Sequence, residues 1–100
     1  MSAAVERVRV DVWLWRARLC KTRTLAAELV AAGAVRLIRA GQGRLIAKPA
    51  EAVGAGDGLS VAVGGRLRSL TIRACGDRRG PAAEARTLYD EVSASDNGET

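Results

Sequence analysis

The chain has 100 residues, the size of one small domain, and 48% of them are apolar, which is enough to build a core. Sixteen Lys and Arg residues against eleven Asp and Glu residues give a net charge of +5, and the sequence contains no histidine. The lack of histidine removes the commonest general base and the commonest nitrogen ligand of metals. Two cysteines do not make a closed zinc site by themselves, and three aromatic residues are too few for a row of base-stacking side chains.

The positive charge lies in the first half of the chain. Residues 1–50 carry a net charge of +7, whereas residues 51–100 carry −2. After Arg86 the only charged residues are acids: Asp90, Glu91, Asp96 and Glu99. A basic body followed by an acidic tail indicates a polyanionic partner. Since the sequence shows neither a membrane-length apolar run nor a signal peptide, we expect a cytoplasmic protein with no membrane partner.

Helical spacing of apolar residues predicts two helices near the N-terminus. The first has apolar residues at intervals of three and four: Val10, Trp13, Leu14 and Ala17. We expect it to begin at Val10, after a flexible leader over residues 1–8. The second helix begins near Thr22 or Thr24, either of which suits an N-cap, and ends at Gly33. The two helices form a hairpin.

The pattern then changes to the alternation that is typical of strands. Strands are predicted, in chain order, over residues 35–37, 45–47, 59–63 and 66–74, with a glycine-rich basic loop over 39–44 and a turn over 54–58. The Gly64-Gly65 pair predicts a tight hairpin, and a change of phase between Leu67 and Leu70 predicts a bulge or twist. A basic loop over 76–81 leads to a short helix over 82–91. Residues 92–100 form a disordered acidic tail, which leaves one domain over residues 9–91.

The strongest local feature is a group of bases around the joint of the two helices: Arg16, Arg18, Lys21 and Arg23. Together with Arg9 and Arg36 they would form one positive surface, and the N–H groups near Thr22 add a seat for phosphate. A run of charges is usually only a solvated face, but the scarcity of acids here favours nucleic acid. The basic loops over 39–44 and 76–81 are supplementary contacts, with plain turns as the alternative. Arg39 and Arg44 in the first loop, and Lys48 after it, complete the candidate RNA contacts.

Three residues of the first helix have other expected roles. Trp13 lies on the apolar stripe and belongs to the core, whereas Trp15 either packs against the sheet or the C-terminal helix or offers a stacking plane to RNA. Asp11 caps the helix or pairs with Arg9 or Arg36. No second group near Asp11 supports a catalytic role.

These residues resemble a known family. Residues 9–33, RVDVWLWRARLCKTRTLAAELVAAG, followed by Val35 and Arg36, closely resemble the small RNA-binding module of ribosomal protein S-four. More narrowly, four segments are similar to a family of small ribosome-associated heat-shock proteins: WLW at 13–15, KTR at 21–23, Lys48-Pro49 and GDRRGPAAEARTLYDE at 76–91. The sequence departs from the pattern at Val12, where a base is often found, and at Ile38, which replaces the Asn of an Asn-Gly turn.

The resemblance implies an α+β fold in which two antiparallel helices pack on a small, mostly antiparallel sheet. It implies non-enzymatic binding of ribosomal RNA on the large subunit, in the rescue or recycling of subunits that carry a nascent chain on tRNA after heat shock. We therefore expect a monomer without a cofactor. The tRNA is a second candidate partner beside the ribosomal RNA. Carried over by position, the RNA-facing residues are Arg9, Arg16, Lys21, Thr22, Arg23 and Arg36. A general nucleic-acid chaperone and the targeting module of an RNA-modifying enzyme remain the alternatives.

Overall fold

Helices and a sheet pack against each other in the computed structural model, which describes residues 6–92. The elements run in the order β1 (Arg7–Arg9), α1 (Val10–Arg16), α2 (Arg23–Ala31), β2 (Val35–Arg39), β3 (Gln42–Leu45), β4 (Ala52–Gly54), β5 (Gly58–Val63), β6 (Arg66–Ile72), α3 (Ala82–Ala85), a 3-10 turn (Arg86–Leu88) and β7 (Tyr89–Val92). The main sheet has five antiparallel strands in the order β3-β2-β5-β6-β7, and β1 pairs with β4 in a second sheet. The expected α+β fold, a helical hairpin on an antiparallel sheet, is confirmed.

The second helix, α2, begins and ends at residues that the sequence predicts. The Thr22 hydroxyl accepts a hydrogen bond from the Leu25 N–H at 3.0 Å, so Thr22 is the N-cap of α2. At the other end, Gly33 has a φ of +82°, and the N–H groups of Gly33 and Ala34 donate to the carbonyls of Val30 and Leu29. This is a Schellman motif, which requires the left-handed conformation that glycine adopts without strain.

The β2–β3 connection is shorter than predicted. Ala40 and Gly41 both have positive φ, +55° and +79°, as a two-residue hairpin turn requires. The expected loop over 39–44 is therefore wrong, and the strand expected over 45–47 lies instead over Gln42–Leu45. Because the turn needs only two residues, both strands extend into the supposed loop.

The β5–β6 hairpin turns at Gly64 and Gly65, as predicted, with φ values of +62° and +77°. The expected bulge is wrong, because pairing runs without interruption from Gly58 opposite Thr71 to Val63 opposite Arg66. The change of phase reflects the two faces of one regular strand: Leu70 faces the core, while Leu67 faces outward and is 62% exposed.

The C-terminal part differs most from the sequence prediction. The helix expected over 82–91 stops at Ala85, a 3-10 turn follows, and the chain then extends as β7 beside β6. Residues 7 and 8, expected in the leader, lie in β1, and Val92, expected in the tail, ends β7. Residue 6 belongs to no regular element, and residues 1–5 and 93–100 lie outside the described residues.

The core lies between the helices and the inner face of the main sheet. Trp13 is fully buried, as predicted; its indole N–H donates to the Ala74 carbonyl at 2.9 Å, and its ring meets Tyr89 edge-on at 6.1 Å. The first N–H groups of α1 donate to the carbonyls of Glu51 and Pro49, which fixes the start of α1 against the segment that precedes β4. This packing leaves the start of α2 at the surface.

Candidate nucleic-acid interface

An exposed positive corner lies where α1 passes into α2. It consists of Lys21, Thr22 and Arg23, all of which are exposed, and we call it the α1–α2 corner. The first turn of α2 contains no acid, and neither Lys21 nor Arg23 has an ion pair among residues 6–92. The first N–H groups of a helix have no partner within it, and the helix dipole adds positive potential there. The corner thus combines two unpaired side-chain charges with the positive end of a nine-residue helix.

Three arginines donate hydrogen bonds to backbone carbonyls close to this corner. Arg16 donates to the Gly76 carbonyl at 2.7 Å, Arg18 to the Gly80 carbonyl at 2.7 Å, and Arg79 to the Trp15 carbonyl at 3.0 Å. They bind the loop over 76–81 to the end of α1 and the connection after it. Arg16 was a candidate RNA contact; that role stays a prediction, and its guanidinium is half-buried and already bonded to the protein.

Trp15 is half-buried, and its ring packs against the side chain of Arg79. The Arg79 guanidinium lies 5.9 Å from the centre of the Trp15 ring, within the range of a cation–π contact. No local signal predicts this pair, because the two residues are 64 positions apart in the sequence. Arg79 therefore holds Trp15 in place, a role that sequence reasoning did not single out.

A second group of candidates is neutralised by carboxylates. Its three ion pairs, which we call the paired cluster, are Arg9–Asp11, Arg39–Asp57 and Arg44–Glu51. In the first pair the nitrogen–oxygen distances are 3.0 and 2.9 Å, and Asp11 is buried. Of the two roles expected for Asp11, pairing with Arg9 is the one found, since no side chain caps α1.

The Arg39–Asp57 pair connects β2 to the turn before β5. Arg39 donates to both carboxylate oxygens at 2.9 and 2.8 Å, and the Gly54 N–H donates to the same carboxylate at 2.9 Å. The hydrogen bond from Arg39 is the main cause that lowers the pKa of Asp57 below its ordinary value. Likewise, Arg44 lowers the pKa of Glu51. Both carboxylates are held in the charged form.

The remaining candidates lie apart from the α1–α2 corner. Arg36 is exposed on the outer face of β2, in register with Ser60 and Leu45, on the side of the sheet away from the core. Lys48 is exposed next to Pro49, whose carbonyl accepts the Asp11 N–H, so it lies near the start of α1. The seven residues of α1 separate its two ends by about 10 Å. The nine candidates thus do not form one compact patch. They lie around the α1–α2 corner, around the paired cluster at the start of α1, and on the outer face of β2.

The cysteines take no part in this surface. Cys20 and Cys75 are buried and are not joined by a disulfide. Burial raises the pKa of both thiols, which keeps them protonated at neutral pH and poorly nucleophilic. Within residues 6–92 we find no cluster of three potential metal-binding side chains. Nor does any helix in this range have the length and apolar character needed to span a bilayer.

Comparison with known proteins gives consistent matches. Residues 8–59 match the family model of the S4 domain. Heat shock protein 15 of Escherichia coli strain K12 is 40% identical over 92 residues, which cover 92% of this chain and 65% of that protein. The Haemophilus influenzae homolog is 35% identical over 92 residues and is 66% covered. The chain thus spans just under two thirds of these curated relatives.

A solved structure matches over more of its length. The trimeric structure of Vibrio cholerae heat shock protein 15 is 38% identical to this chain and superimposes with a TM-score of 0.79. The match covers 92% of this chain and 88% of that one. The likeness therefore extends through the helical hairpin, the five-stranded sheet and the C-terminal strand.

Proposed function

We propose that this chain, which belongs to the S4 domain family and within it to the heat shock protein 15 family, binds structured RNA of the large ribosomal subunit. Its task there is the rescue or recycling of subunits that still hold a nascent chain on tRNA after heat shock, in the cytoplasm. That tRNA is the second partner to test. All residues of the α1–α2 corner come from one chain, so we propose that a monomer suffices.

The α1–α2 corner is the observation that carries this proposal. Lys21 and Arg23 are exposed and have no acidic partner among residues 6–92, and α2 begins at Arg23, so its first N–H groups belong to the same corner. Phosphate groups fit such a site, because a helix N-terminus supplies N–H donors and arginine supplies planar, two-pronged ones. Double-stranded RNA hides its base edges in a deep, narrow groove, so contacts of this kind read its backbone and shape.

The hydrogen bonding of the acidic side chains supports binding without catalysis. Among residues 6–92, three carboxylates have a lowered pKa, those of Glu51, Asp57 and Glu91, and each accepts two hydrogen bonds from one arginine. A general base needs a lone pair that faces the substrate, whereas these oxygens face guanidinium groups. We therefore propose that the protein acts by recognition alone.

Sedimentation with purified ribosomal subunits tests the proposal. We expect the protein to travel with large subunits in preference to small ones. A salt series should give a slope of log affinity against log salt of magnitude about 4, as expected for a handful of phosphate contacts. Equal partition between the two subunits would contradict the proposal. Comparable affinity for duplex DNA would favour a general nucleic-acid chaperone instead.

A further inference from the structure

A small cavity opens on the inner side of the β2–β3 hairpin. Its volume is about 140 Å³, and its lining is Leu37, Arg39, Gln42, Gly43 and Arg44. This places it at the paired cluster, away from the α1–α2 corner. The floor is apolar, because Leu37 belongs to the core, while the walls are two arginines and an amide.

The register of the hairpin produces this lining. Leu37 lies opposite Arg44, and Arg39 lies opposite Gln42. Residues opposite each other in an antiparallel pair project to the same side, so these four side chains share one face. Gly43 lies between Gln42 and Arg44 and adds no side chain. The strand β3 is at the edge of the sheet, where the cavity is open to solvent.

The two arginines of this cavity are held in place by their carboxylates. Asp57 accepts from Nε and Nη2 of Arg39, and Glu51 accepts from Nη1 and Nη2 of Arg44. The carboxylates occupy one edge of each guanidinium and cancel most of its charge, while the side chains stay 41% and 55% exposed. A guanidinium held this way is a weak partner for phosphate but presents a fixed flat face. Such planes stack on nucleobases.

We infer that this cavity accepts a single unpaired nucleobase of the bound RNA. A cavity of about 150 Å³ holds one benzene molecule, so the volume suits one six-membered ring. The side chain of Gln42 lines the cavity, and its amide offers both a donor and an acceptor to a base edge. The inference rests on the proposed function and deepens it: the α1–α2 corner takes phosphates, and the cavity takes a base that is not paired.

Two RNA hairpins of equal length test the inference, one fully paired and one with a single bulged uridine. Affinity for each is measured by fluorescence anisotropy. We expect the wild-type protein to bind the bulged hairpin about tenfold more tightly, since stacking one base is worth about that much or more. Arg44→Lys keeps the charge next to Glu51 but removes the flat guanidinium, so the preference should fall to about twofold or less. Gln42→Ala should lower it by about threefold.

Arg68→Lys is the matched control. Arg68 also gives two hydrogen bonds to one carboxylate, that of Glu91, at 2.8 and 2.6 Å, but it lies on β6 and does not line the cavity. This variant should keep the full preference for the bulged hairpin. Circular dichroism and thermal unfolding check that each variant is folded.

The outcomes separate the two proposals. If the wild-type protein binds neither hairpin at low salt, the proposed RNA-binding function fails. If it binds both hairpins equally well, that function stands and the base cavity is overturned. If the preference exists but survives Arg44→Lys, the cavity is also overturned, because lysine replaces arginine at a phosphate contact but not in a stack.

Discussion

The α1–α2 corner and the paired cluster are both rich in bases, yet they differ in what surrounds each charge. At the corner, Lys21 and Arg23 have no acidic partner within residues 6–92. In the cluster, every one of the three arginines has a carboxylate within hydrogen-bonding distance. The corner therefore presents net positive charge, whereas the cluster presents oriented but nearly neutral groups.

This difference shows that the number of bases alone does not locate a phosphate site. Unpaired charges attract a polyanion over a distance and release counterions when it binds, so they give affinity and salt dependence. Paired arginines contribute little net field. Their carboxylates fix their position, which favours stability and shape recognition. Variants that alter one region at a time separate these roles.

The largest effect is expected from Arg23→Glu at the corner. The change replaces an attraction to phosphate with a repulsion at the positive end of α2, so affinity for large subunits should fall about 100-fold at low salt. The salt slope should become smaller by one or more. The helix should stay intact, because an acid in its first turn suits the helix dipole. Binding is measured by sedimentation and folding by circular dichroism.

Arg66→Glu is the control for that prediction. Arg66 is exposed and follows the β5–β6 turn, and Ala62 in the same hairpin donates to the Ala34 carbonyl just beyond the end of α2. The substitution thus makes the same charge reversal near the opposite end of α2, about 13 Å away along its nine residues. If both reversals weaken binding equally, affinity depends on net charge alone and the corner has no special role.

An intermediate effect, on stability, is expected from Asp57→Asn in the paired cluster. Asp57 is buried, and it accepts hydrogen bonds from Arg39 and from the Gly54 N–H. The substitution weakens these charge-assisted bonds and should lower the free energy of unfolding by about 1–3 kcal/mol. Urea unfolding at pH 7 measures this. Because the substitution also leaves Arg39 without its acid, affinity for large subunits should not fall; it should rise by at most a few-fold at low salt.

The same carboxylate predicts a pH dependence. Arg39 lowers the pKa of Asp57 in the folded state, so ionised Asp57 stabilises the fold at any pH above its unfolded pKa of about 4. That contribution is lost as the pH falls through the lower folded value. Wild-type stability should therefore fall more steeply below about pH 4 than that of Asp57→Asn. Parallel curves for the two proteins would show that Asp57 is not the titrating group.

Local signals allowed the helical hairpin and the tight turn of β5–β6 to be predicted. Thr22 caps α2 through a residue three positions away, and Gly33 ends it through its own φ angle. The same holds for Gly64 and Gly65. In each case the determining contact is short in sequence, so the amino-acid pattern is enough. The α1–α2 corner was predictable for the same reason, because its residues are neighbours in the chain.

The paired cluster and β7 depend on contacts that are distant in sequence. Arg39 and Asp57 are 18 positions apart, and only the folded register brings them together. In the same way, Asp90 and Glu91 looked like part of an acidic tail, but Arg73, just after β6, pairs with Asp90, and Arg68 on β6 pairs with Glu91. Helix propensity around residue 86 gave way to strand pairing, since tertiary contacts override weak local preference.

The smallest effect is expected from Glu51→Gln, which turns a paired cation of the cluster into an unpaired one. Glu51 holds Arg44, and that pair is partly exposed, so its loss should change stability by less than about 1 kcal/mol. Arg44 would then present a full charge, and affinity for fully paired RNA should rise two- to fivefold at low salt and by less as salt screens it. Anisotropy with the fully paired hairpin measures this. The added positive charge should make the salt slope larger by at most one, the opposite direction to Arg23→Glu. An unchanged slope and affinity would mean that the carboxylate does not neutralise Arg44 toward RNA, and the contrast between the two regions would then lie in geometry rather than in charge.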